Sequence, residues 1–237
     1  MKIPIVLDQF YLAYGIEQYV TWCPRKAPHA IICGNTGSGK SYFTQLLLGR
    51  LTLYVENCEI FVCDFKNDDD YQYLEGCKHF YRYMECQKGL DIFYQAFKSR
   101  QSGEDRTRNM KILVFEEWAS YLNSLSKTEQ EDQKRKLSTL LMLARSFMQQ
   151  VIICTQRPDA QYFSTARDNA SLIVGLGNLS DESRSMLFSS YKNEMLPDRT
   201  QGTGYMLTSG TNLTAIQVPA ITNMEKLHKV IREAVDR

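Results

Sequence analysis

Short runs of continuous apolar residues alternate along the chain with longer mixed segments. That alternation predicts an α/β fold with a mainly parallel sheet flanked by helices. The runs are AIIC (30–33), EIFVC (59–63), KILVFE (111–116), VIICT (151–155) and LIVGL (172–176). Each is short and apolar at successive positions, as strands covered on both faces require. The clearest helix spans about 129–149, where Leu137, Leu140, Leu141, Ala144 and Phe147 or Met148 make one apolar stripe. Two later runs, GYMLT (204–208) and LTAIQV (213–218), flank the turn-rich SGTN and predict a C-terminal β-hairpin. A last amphipathic helix is expected over about 223–235. With no repeat, low-complexity tract or long linker, one domain is the simplest organisation. It has a lead-in segment, 1–26, packing on a core of 27–237.

Composition narrows the class. A chain of 237 residues, 43% hydrophobic, is long enough to bury a large core. No run of about 18 apolar residues occurs, so no direct membrane insertion is expected, and the N-terminus lacks the pattern of a signal peptide. Seven cysteines without a C-x-x-C pair read as reduced structural thiols in a cytoplasmic protein. The 28 basic residues against 27 acidic ones argue against a domain coated in basic charge for nucleic acid. They leave room for a ring that concentrates a few Arg side chains in a central channel.

Candidate chemistry begins at GNTGSGKS, residues 34–41, which fits the phosphate-binding pattern G-x-x-x-x-G-K-[ST]. It follows an apolar strand and precedes a helix-like segment, the context the pattern needs. Gly34, Asn35, Thr36, Gly37, Ser38, Gly39, Lys40, Ser41 and the next residue, Tyr42, are therefore assigned to ATP. The glycines let backbone N–H groups converge on phosphates at a helix N-terminus. Lys40 would reach the β/γ-phosphates, and the Ser41 hydroxyl would bind Mg²⁺. KILVFEEWA ends an apolar strand in two acids: Glu116, to hold the metal through its water shell, and Glu117, to polarise the attacking water. A solvated Glu pair is the plainer alternative. Gln156 ends the strand VIICT, where its amide could sense the γ-phosphate or simply terminate the strand. No guanine-reading N-K-x-D motif occurs, and hydrolysis is favoured over switching.

GNTGSGKS, ILVFEEWA and ICTQRPDA, in that order and spacing, resemble the FtsK/SpoIIIE branch of the FtsK–HerA DNA-pumping ATPases. APHAIIC, FVCDFKNDDDYQYLEG with Asp64 and Lys66, LSDESRSMLF and GTGYMLTSGTNLTAIQVPAI extend the resemblance over about 27–222. It implies a RecA-like P-loop core in which the Gln156 strand separates the phosphate-loop strand from the Glu116 strand. It also implies a ring, a hexamer, with ATP between subunits, and Arg145 as the arginine lent to the neighbour's site. Arg157, Arg167 and Arg184 match positions that face double-stranded DNA and would contact phosphates rather than bases. The function implied is ATP-driven DNA translocation for a mobile element or phage, with a relaxase, replication protein or membrane anchor protein as docking partner. Departures are Glu116 where the family usually has Asp, Ser180 where many members carry Lys, and no membrane anchor or winged-helix reader. A motor of the same fold that moves protein is the alternative, and a monomeric kinase or assembly factor a third. The stretch 99–111, with three Arg, reads as a solvated loop or a phosphate lid, and 127–136 as the exposed start of the long helix or a subunit-contacting insertion.

Overall fold

The structure is a computed structural model describing the backbone of residues 1–237 and every side chain except those of Ser164 and Thr165. The five predicted apolar runs all form strands: β3 (Ala30–Gly34), β4 (Glu59–Asp64), β6 (Lys111–Glu116), β7 (Gln149–Thr155) and β8 (Leu172–Leu176). A short β5 (Phe80–Arg82) joins them, and the six pair in parallel in the order β8-β3-β7-β6-β4-β5. The Gln156 strand β7 thus lies between the phosphate-loop strand β3 and the Glu116 strand β6, as the resemblance implied. The predicted hairpin forms as β9 (Thr203–Thr208) and β10 (Asn212–Gln217), with β9 antiparallel to β8. Residues 1–26 add two further antiparallel strands, β1 (Ile3–Asp8), paired with β10, and β2 (Tyr19–Trp22). A short α1 (Gln9–Leu12) links β1 to β2.

Alternation along each strand divides the core in two. Ile60, Val62, Ile112, Val114, Ile152 and Cys154 point to a layer formed by α2 (Lys40–Tyr54) and α8 (Met224–Val235). Phe61, Cys63, Leu113, Phe115, Ile153 and Cys33 point to the other layer. That layer holds α3 (Cys86–Ser102), α4 (Trp118–Asn123) and α5 (Lys127–Leu143). Six of the seven cysteines are buried and all are free thiols. Burial pushes the Cys33 thiol up to about 12, which keeps it protonated.

The long helix differs from its predicted bounds. It starts at Lys127 because Ser126 and Glu129 form a capping box. It stops at Leu143, gives way to a 3-10 turn (Ala144–Phe147), and the chain reverses through Met148 at a left-handed φ of 58°. Gln149 and Gln150 belong to β7 instead. They are buried: Gln149 Nε2 donates to Phe93 O and Gln150 Oε1 accepts from His29 N, which offsets most of the cost of polar residues in an apolar strand, while Gln149 Oε1 has no partner among the described residues. The 99–111 stretch forms no phosphate lid from Arg100. The Arg100 guanidinium is buried and bonds Asp105, Thr107, Asn109 and the Phe147 carbonyl. It ties the end of α3 to the start of β6, at the sheet edge opposite the phosphate loop. Residues 127–136 are the largely exposed first turns of α5, with Gln133 turned inward to bond the Tyr121 hydroxyl. The remaining short helices are α6 (Ala160–Phe163) and α7 (Asp181–Leu187).

Candidate active site at the carboxyl edge of the sheet

The parallel strands β3, β7 and β6 end side by side, so the segments that follow them converge. After β3, Gly37 and Gly39 take φ of +80° and +95°, conformations that an L side chain rarely adopts. Gly34 is required by space: a Cβ there would lie 2.5 Å from Ser38 Oγ and 2.6 Å from Leu176 O. Gly39 precedes α2 without any side-chain cap, which leaves the first-turn N–H groups for an anion. Lys40 Nζ curls back onto Gly34 O at 2.6 Å and Asn35 O at 3.4 Å. The loop is tied to its neighbours by Gly202 N to Ser38 O at 3.0 Å and Asn35 Nδ2 to Asn178 O at 3.1 Å. Asn35 and Thr36 are exposed, and Ser41 is half-buried at the helix start. The Tyr42 hydroxyl accepts from Ile221 N at 2.5 Å, so its oxygen is engaged in the fold while 37% of the residue stays exposed.

Glu117 follows β6 in a left-handed conformation, φ 57°, unusual for a residue other than glycine. Such strain costs on the order of 1 kcal/mol or more and persists where surrounding structure imposes it. Its result is visible in the contacts. The Glu117 carboxylate lies 4.0 Å from Lys40 Nζ and 3.5 Å from Gln156 Nε2, although it is 7% exposed. Three residues far apart in sequence therefore meet in one place.

Glu116 is buried beside them and accepts a hydrogen bond of 2.6 Å from the Tyr71 hydroxyl. Burial pushes its carboxyl up to about 7, against the opposing bonds from Tyr71 and Cys154. Nearby, the Cys154 thiol meets Thr44 Oγ1 at 3.3 Å. Tyr71 carried no signal in the sequence, because nothing in the spacing of DDDYQYL marks one tyrosine as aimed at a carboxylate 45 residues away. Asp64, at the end of β4, is buried beside Arg82 Nε at 3.6 Å, and burial raises its carboxyl to about 6.

Arg145 lies elsewhere. It is exposed on the 3-10 turn before β7, whereas Gln156 follows β7. The strand's seven residues span about 23 Å, so Arg145 cannot reach the site of its own chain. Among the described residues it has no ion-pair partner. Burial of His29, with the Arg145 charge as a smaller contribution, holds that imidazole down at about 4. Arg157, Arg167 and Arg184 fall in one region around α6 and α7. Arg157 pairs with Asp159 at 3.4 Å and Glu182 at 3.3 Å, Arg167 donates to Pro158 O at 3.1 Å, and Arg184 bonds Asp181 and Met195 O.

The site fits a nucleoside triphosphate. The uncapped start of α2, the loop N–H groups that Gly37 and Gly39 turn by their positive φ, and the Ser38 hydroxyl, buried with no partner among the described residues, are donors suited to an anion. Among the described residues no group of three or more His, Cys, Asp or Glu could hold a metal by itself. The donors at hand, the Ser41 hydroxyl and the Glu116 carboxylate, suit Mg²⁺ bound chiefly by phosphate oxygens and water.

Fold and site together define a P-loop ATPase with a RecA-like core. Residues 26–231 match the family described as helicase HerA, central domain, and the chain belongs to that family. The FtsK domain-containing protein YdcQ of Bacillus subtilis (strain 168) is 25% identical over 206 residues, which cover 80% of this chain and 42% of YdcQ. The chain thus spans less than half of that relative. Among solved structures, the cytoplasmic domain of the type VII secretion ATPase EccC of Thermomonospora curvata superposes with a TM-score of 0.72 at 20% identity. That match covers 99% of this chain and 31% of EccC. The pCW3 conjugation coupling protein TcpA, solved as a monomer with ATPgS, gives 0.71 at 19% identity, over 98% of this chain and 71% of TcpA. The chain is an ATPase of the HerA/FtsK type. No helix among its described residues is long and apolar enough to cross a membrane.

Proposed function

We propose that this chain is the motor subunit of a ring, a hexamer, that hydrolyses ATP between subunits to move double-stranded DNA. The observation that carries the reading is the division of the site. Lys40, Glu117 and Gln156 meet at one edge of the sheet, while Arg145 is exposed at the other. An arginine there can complete only a neighbour's site, where it offsets charge on the transferring phosphoryl group. In each site Gly34 to Tyr42 hold the nucleotide, with Ser41 and Glu116 on the metal side. A Mg²⁺ held there would supply Lewis acidity to the phosphoryl group; Glu117 takes the proton of the attacking water, and Gln156 senses the terminal phosphate. Glu117 is suited to the task because its contacts to Lys40 and Gln156 hold its carboxylate where the phosphate would end.

DNA as cargo is supported by the clustering of Arg157, Arg167 and Arg184 and by the likeness to a conjugation coupling protein. Transfer, segregation or packaging for a mobile element or phage, in the cytoplasm, fits this motor, docked by a relaxase, a replication protein or a membrane anchor protein. A second reading, a protein-moving motor, is favoured by one observation. Arg157 and Arg184 each pair with acids of the same chain, Asp159 and Glu182 or Asp181, which blunts their attraction for phosphate. The test is an ATPase assay with and without duplex DNA at low and high salt, run with a mass measurement of the particle. Stimulation by DNA that fades with salt, together with a ring-sized mass, is expected. A monomer whose turnover ignores DNA at low salt would sink the proposal.

A further inference from the structure

Tyr71 is 1% exposed, and its hydroxyl donates to Glu116 Oε1 at 2.6 Å, the short distance typical of a bond to a carboxylate. The tyrosine sits on a 3-10 turn, Asp69–Leu74, that follows β4. That turn is held without the help of Glu116. Gln45 of α2 donates to Asp70 O at 3.0 Å, and Arg82 of β5 donates to Asp68 O at 2.5 Å. Tyr73 stacks on His228 of α8 at 3.6 Å, and Arg232 of α8 donates to the Tyr73 and Glu75 carbonyls. His228 Nε2 in turn meets Gln45 Oε1 at 3.0 Å. The phenol is therefore a fixed post, anchored from the phosphate-loop helix and the C-terminal helix. Among the described residues its one hydrogen-bond partner is Glu116.

We propose that Tyr71 is a positioning residue for hydrolysis, fixing the Glu116 carboxylate in one orientation at the end of β6. A glutamate has three rotatable side-chain bonds and by itself samples several rotamers. The phenol selects one of them. An aspartate at 116 would fall about 1.5 Å short, the length of one carbon–carbon bond, and would lose the contact. Tyr71 acts through Glu116 and does not touch nucleotide. The inference rests on the reading of Glu116 as the acid on the metal side.

The test is a double-mutant cycle in the full chain with Tyr71→Phe, Glu116→Asp and both, plus Glu116→Gln as a control on the underlying reading. Three quantities are measured for each: kcat and KM for ATP, ADP affinity by calorimetry with Mg²⁺ and with EDTA, and the thermal midpoint. Tyr71→Phe keeps the ring and its packing, so KM and ADP affinity in EDTA are expected to hold. The gain in ADP affinity on adding Mg²⁺ should shrink, and kcat should fall about tenfold, the scale of one charge-assisted hydrogen bond. In the Glu116→Asp background the same substitution should change neither. An equal loss in both backgrounds marks a merely structural role and overturns the proposal, as does a Tyr71→Phe protein within twofold of wild type in both quantities. Full turnover in Glu116→Gln instead refutes the role of Glu116 itself, and the positioning role falls with it.

Discussion

Replacing Glu116 with Gln separates the site's chemistry from its cost to the fold. Glutamine keeps the shape and still accepts the Tyr71 hydrogen bond, but carries no charge. In the nucleotide-free protein the Glu116 carboxyl titrates at about 7, against an ordinary value of 4.5, chiefly because it is buried. A raised acid pKa means the folded state holds the proton more tightly than the unfolded chain does. Stability from this group is therefore lost as pH rises from 4.5 to 7, and the full penalty persists above 7. The difference of 2.5 between those two values, at 1.36 kcal/mol per pKa unit, amounts to about 3 kcal/mol at pH 8. Near pH 5 the penalty shrinks to under about 1 kcal/mol, because the folded carboxyl is already neutral. Glu116→Gln should therefore raise the thermal midpoint at pH 8 by roughly 6–12 °C for a chain of this size. The gain should largely vanish at pH 5, and ATP turnover should be lost at both. Thermal melts of the two proteins from pH 5 to 8, without nucleotide, measure the gap. A gap that stays constant with pH refutes the account of Glu116 as a buried carboxylate whose hydrogen bonds do not offset the cost of burial.

Glu117→Gln should still bind ATP and assemble but lose at least about 100-fold in hydrolysis, the loss expected when a general base is removed. A wild-type rate in a phosphate-release assay would show that another group activates the water. Arg100→Ala should destabilise the fold by on the order of 3–5 kcal/mol, because a buried guanidinium leaves Asp105 and the Asn109 and Phe147 carbonyls without their donor. A shift of the urea midpoint measures it, and nucleotide affinity should be spared, since Arg100 lies at the far edge of the sheet.

The legibility of the chain followed the range of each interaction. The glycine-rich loop could be read because phosphate binding is local: consecutive backbone N–H groups and one lysine suffice, and Gly34 to Ser41 are contiguous. The parallel strands could be read because burial on both faces demands an apolar residue at every position. Strands β1, β2 and β5 went unread. Val20 and Tyr81 alternate with polar or half-exposed neighbours, and these strands form by pairing with partners far along the chain. The end of α5 is hidden in the sequence for a related reason. Phe147 and Met148 extend the helical stripe, yet Met148 turns left-handed so that Gln149 can enter the sheet.

Sequence alone determined the phosphate-loop pattern at Gly34 to Ser41 and the two acids at the end of the β6 strand, since each needs only neighbouring residues. The tertiary structure decided which groups those acids meet. The order β3-β7-β6 brings Gln156 and Lys40 to Glu117, while a turn held by α2 and α8 brings Tyr71 to Glu116. The same sheet sends Arg145 to the opposite edge, a strand's length from its own phosphate loop. A strand direction and a neighbour order are properties of the assembled sheet, set by the total burial of both faces, and no local stretch of residues encodes them.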